Sequence, residues 1–63
     1  MRAHTPSDLD IHRSAHLWIR THGNNAVAKA REVVEPMRRK GDNEGADTWR
    51  RIIVAIGNRL YRA

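Results

Sequence analysis

Lys40-Gly41-Asp42-Asn43-Glu44-Gly45, with the run Trp49-Arg50-Arg51-Ile52-Ile53-Val54-Ala55-Ile56 that follows, decides how this chain folds. A glycine that can take a left-handed backbone ends one helix, and an aspartate just after it caps the next. What restarts is the most apolar helix of the chain, so the residues upstream have to cover it. At about 100° per residue, a helix over about residues 43–60 gathers Trp49, Ile52, Ile53, Ile56 and Leu60 in one sector. Arg50, Arg51 and Asn58 fall away from its centre, and Val54 is apolar yet points outward. Gly45, near the start, leaves room for another helix to approach, and Gly57 weakens the last turns by about 1 kcal/mol relative to alanine.

Upstream, a second helix over about residues 25–40 places Ala26, Val27, Ala30, Val33, Val34 and Met37 on one side. Lys29, Arg31, Glu32, Glu35, Arg38 and Arg39 take the rest of the wheel. Pro36 lacks the amide that would bond to the Glu32 carbonyl, which predicts a kink there or a break near Glu35. Gly23 stops the first helix, and Asn24 or Asn25 is expected to cap the second. The first helix spans about residues 8–22, with Ser7 as N-cap and Asp8 and Asp10 complementing the dipole of its first turn. Its core stripe is Ile11, Ala15, Trp18, Ile19 and His22, and Leu17 lies to one side.

Short connections fold successive helices back on one another. The expected architecture is all-α: one three-helix domain over residues 7–61, an antiparallel bundle kinked near Pro36, after a flexible arm of residues 1–6. Trp18 and Trp49 fall on the core stripes of the first and third helices and are the expected centre of the fold. With 63 residues, burial is limited and stability marginal, which favours tight packing or self-association. The absence of cysteine removes disulfides and thiolate zinc sites together. No apolar run is long enough to span a bilayer and the N-terminus lacks a signal-peptide core, so a cytoplasmic protein without membrane contact is expected.

The formal charge of +5 could attract nucleic acid, but acids are interleaved with the basic residues along the chain. Arg38, Arg39, Lys40, Arg50 and Arg51 are the candidates for phosphate contact. Reading of DNA by the third helix is disfavoured by Glu44 and Asp47 in its first turns. His12 and His16, four residues apart with Asp8 a turn earlier, are weak metal candidates, and only His4 on the arm offers a further ligand. His22 reads as a helix-end residue at the inter-helix corner. A chain this short has little room for a catalytic pocket, so no enzyme, cofactor or small-molecule substrate is expected. Leu17, Val54, Arg50 and Arg51 are the candidate protein interface, with a partner protein or a homodimer as its occupant.

Three segments together, His22-Gly23-Asn24-Asn25-Ala26, Lys40-Gly41-Asp42-x-x-Gly45 and Trp49-x-Arg51-Ile52-x-x-Ala55-Ile56, resemble a group of short, uncharacterised bacterial proteins. That group is typical of alphaproteobacteria and is a domain of unknown function. The similarity runs from about Leu9 to Leu60. It implies a small cytoplasmic helical protein and no activity, cofactor or site residue. The expected function is a non-catalytic protein-binding or self-associating module; the alternative is weak binding of nucleic-acid phosphates.

Overall fold

The computed structural model describes residues 6–61, and the protein is all-helical over that range. Helix α1 spans Asp8–His22, α2 Ala26–Arg39 and α3 Asn43–Leu60. Most of the expected arm, residues 1–5 with His4, lies outside the described residues, whereas Pro6 is tied to α3 through its carbonyl, which accepts from Arg51 Nη1 at 3.2 Å.

Ser7 starts α1 with a reciprocal pair of bonds. Its Oγ accepts from the Asp10 amide at 3.2 Å, and Asp10 Oδ2 accepts from the Ser7 amide at 3.4 Å. The α2–α3 corner closes as the sequence implies. Gly41 sits at φ 78°, its amide donates to the Arg38 carbonyl at 3.1 Å, and the Asp42 amide donates to the Met37 carbonyl at 2.8 Å. Asp42 then caps α3 through Oδ1, which accepts from the Gly45 amide at 3.0 Å.

Several expectations need correction. Residues 23–25 form a 3-10 turn, so helical structure is unbroken from Asp8 to Arg39 and the chain makes two helical runs, not three separate ones. Gly23 turns the first run with φ 57° and ψ −132°, a backbone open to glycine alone. Neither asparagine is needed as a cap at this junction, and Asn25 makes no side-chain cap bond. Pro36 does not break α2, which continues to Arg39. Glu32 and Pro36 are both exposed, so the carbonyl left without an amide partner is on the side where water can serve it.

The packing also differs from a simple up-and-down bundle. Asp8 pairs with Arg51, yet Trp18, ten residues later in α1, packs on Trp49, two residues earlier in α3. Side-by-side helices would shift contact along both chains together, so α1 crosses α3 obliquely. Helix α3 is thereby covered by both other helices, while α1 and α2 touch each other far less.

The tryptophans are not the centre of the fold. Both are half-buried, ring centroids 5.0 Å apart in an edge-to-face arrangement, and they pack on the edge of the core. The buried positions among the described residues are Ile11, Ala15, Ala26, Ala30, Val34, Ala46, Ile52, Ala55 and Ile56. Five of these nine are alanines. Small side chains let the helix backbones approach closely, and a bulky indole cannot enter the crossing they create. Trp18 compensates at the rim, where its Nε1–H donates to the Ala26 carbonyl at 2.9 Å and locks α1 to the start of α2. Gly45 has a local role in place of the expected close helix approach, because a Cβ there meets the capping carboxylate of Asp42.

Candidate functional site

The interface candidates divide between two sides of α3. Val54 is exposed and stands between Arg50 and Arg51. On the Arg50 side, a groove against α2 is lined by Arg31, Val34, Glu35, Arg38, Arg50, Ile53 and Val54. On the Arg51 side, Val54 borders α1 with Asp8, Ile11, His12, Ala55 and Asn58. Leu17 lines neither groove. It is exposed on the outer side of α1 with Leu9, His12, Arg13, His16 and Arg59.

The basic residues are likewise only partly gathered. Arg38 lies 3.7 Å from Glu35 and Arg50 lies 3.4 Å from Asp47, both exposed pairs within one helix turn. Arg51 is more firmly committed, donating through Nη2 to Asp8 Oδ1 at 2.9 Å as well as to Pro6. Its role is to hold the beginning of α1 on α3. Arg39 and Lys40 are exposed at the end of α2 and form no ion pair among the described residues. The expected cluster of five cations therefore reduces to two unengaged charges, with Arg38 and Arg50 along the neighbouring groove.

His12 and His16 are exposed and share one groove, as their spacing implies. Arg13 and Arg59 line that groove with them, an arrangement that repels a divalent cation. Among the described residues no group of three or more histidines or carboxylates is placed to hold a metal. Asp8 comes near His12 at a different groove, where one of its carboxylate oxygens accepts from Arg51 and the side chain stays largely exposed. His22 is half-buried at the inter-helix corner, its ring centroid 4.3 Å from that of Trp18.

Leu9, Arg13 and Arg59 join the surface features without having stood out in the sequence. Leu9, Arg13 and Leu17 follow one another at four-residue intervals along α1, a signal that was present. Arg59 carried none, since it reaches this groove only through the oblique crossing of α1 and α3. No helix among the described residues is long and apolar enough to cross a membrane. Comparison of the chain with known protein families, with curated proteins and with solved structures yields no match in any of the three.

Proposed function

We propose that this protein is a non-catalytic helical module that binds a partner protein or a second copy of itself. The observation that carries the reading is the exposure of Leu9 (58%), Leu17 (60%), Val54 (62%) and Tyr61 (68%) on so small a body. Large apolar side chains that stay in solvent contribute nothing to folding, since the unfolded chain exposes them too, and covering them on association is a gain the lone molecule does not have. The three helices, packed as a bundle with α1 aslant, form the scaffold for this surface. The likeness to short alphaproteobacterial helical proteins belongs to the same proposal and brings no activity with it.

Sedimentation equilibrium from micromolar to millimolar protein tests the self-associating form. A mass rising above 7.3 kDa and reset by Val54→Gln is the expected result, and reset by Leu17→Gln instead puts the contact on the outer side of α1. A mass fixed at 7.3 kDa across the range removes self-association and leaves only a foreign partner.

A second reading, contact with nucleic-acid phosphates, is favoured by Arg39 and Lys40, which face solvent without an ion-pair partner among the described residues. With about two phosphates neutralised, the logarithm of the binding constant should fall against the logarithm of salt with a slope of about −2. Neutralising Arg38, Arg39, Lys40, Arg50 and Arg51 together should abolish it. Failure to bind duplex DNA or RNA at low salt removes this reading.

A further inference from the structure

The side of α1 turned from the core is both apolar and cationic. Leu9, His12, Arg13, His16 and Leu17 line one groove with Arg59 near the end of α3, enclosing about 430 Å³. A neighbouring groove shares His12 and Arg59 and adds Tyr61. Three of the four exposed large hydrophobics among the described residues, Leu9, Leu17 and Tyr61, thus border one region. Among the described residues, no carboxylate lines either groove and neither Arg13 nor Arg59 has an ion-pair partner. This differs from the α2–α3 groove, where Glu35 sits among the arginines and Arg38 and Arg50 are each paired.

We propose that the groove between α1 and the end of α3 docks an acidic, apolar-anchored segment of a partner protein. A leucine-like side chain of that segment occupies the space between Leu9 and Leu17. Carboxylates flanking it meet Arg13 and Arg59, while the imidazoles of His12 and His16 supply further hydrogen-bonding groups. This inference rests on the reading of the protein as a binding module and specifies the chemistry of the partner. Charge complementarity selects the occupant. A two-fold contact between copies through this face would bring two Arg13 and two Arg59 together with no acid from the groove to neutralise them. A bilayer is the alternative occupant, and the vesicle titration is the arm that distinguishes it from an acidic segment.

The test uses the full chain and a fluorescent helical peptide of repeated Glu-Glu-Leu-Leu, with the same peptide carrying Lys for Glu as control. Phosphatidylglycerol vesicles are titrated in parallel, and sedimentation is run on each variant. The Glu peptide should bind and the Lys peptide should not. Binding should weaken about tenfold in Leu17→Gln from lost apolar contact, and by about tenfold or more in Arg13→Glu with Arg59→Glu. Ala28→Gln, on the exposed side of α2 and outside both grooves, should bind as the native protein does. All these side chains are exposed, and Arg13→Gln with Arg59→Gln provides a milder pair should the reversal disturb folding by circular dichroism.

Equal binding of both peptides, or binding unchanged by both arginine pairs, overturns the proposal. So does capture by the vesicles in place of the peptide. Self-association that depends on Leu17 without peptide binding overturns this inference and leaves the binding-module reading standing. A monomer that takes neither peptide overturns this inference and removes self-association with it, leaving the module reading to a foreign partner of different chemistry.

Discussion

Replacing Gly45 with alanine sets two effects of similar size against each other at the start of α3. A Cβ at this position lies 2.5 Å from Asp42 Oδ2, 3.0 Å from its Cγ and 3.1 Å from Oδ1. The same carboxylate accepts the Gly45 amide at 3.0 Å, so the methyl group displaces the cap that the residue's own amide uses. Alanine gains about 1 kcal/mol over glycine in a helix, and loss of an N-cap costs about 1 kcal/mol. Gly45→Ala should therefore change stability by less than about 0.5 kcal/mol. Once Asp42→Ala has removed both the obstacle and the cap, Gly45→Ala should stabilise by about 1 kcal/mol. The coupling in the double-mutant cycle is then about 1 kcal/mol, read by urea unfolding followed with far-UV circular dichroism. If Gly45→Ala stabilises equally in both backgrounds, the carboxylate moves aside without loss and the reasoning is refuted.

Three other outcomes follow from the packing and the backbone. Gly23→Ala should cost about 1–3 kcal/mol and Gly41→Ala about 1 kcal/mol, because φ 57° with ψ −132° is harder for an L-residue than the left-handed helical basin; thermal unfolding of the two variants decides the order. Ala15→Leu places a large side chain where α1 is fully shielded and should destabilise by about 1–3 kcal/mol in urea titration, whereas Ala28→Leu on the exposed side of α2 should be nearly silent. Trp18→Phe removes the bond to the Ala26 carbonyl and should cost about 1 kcal/mol or more by chemical unfolding, with increased amide hydrogen exchange at the start of α2.

The contrast between the two helix starts shows why Gly45 is suited to its place. In α1 the third helical residue is Asp10, whose carboxylate returns a bond to the Ser7 amide. In α3 the corresponding amide, that of Asp42, is already donated to Met37 in closing α2. No acceptor is needed at the third position, and a glycine leaves the capping carboxylate unobstructed. Fusing the end of one helix to the cap of the next within Gly41-Asp42 thus explains a local choice that had been read as a site of helix approach.

Much of the candidate surface was legible from helical spacing. Leu17 and Val54 lie off the stripes and are exposed, and His12 and His16 share a face. The basic cluster was less legible, because charge counts do not reveal pairing. Arg51 looked available beside Arg50, but the fold carries it to Asp8 and Pro6, more than forty residues away in sequence. Arg59, at the far end of α3, becomes the neighbour of His16 instead.

Hydrogen-bonding chemistry local to the chain was enough to establish the helix limits, the Ser7 and Asp42 caps and the corner at Gly41, since each depends on residues within one or two turns. The helical wheel likewise separated core from surface for most of α1 and α2. It did not find the burial of Ala46 and Ala55 or the half-exposed positions of Trp18 and Trp49. A wheel assumes one buried stripe, whereas α3 is covered on two sides, and the angle at which α1 crosses it is set by how closely alanine-lined backbones can approach. That angle is a property of all the helices packed together, and it brings Arg59 to the groove that helical spacing had already lined with Leu9 and Leu17.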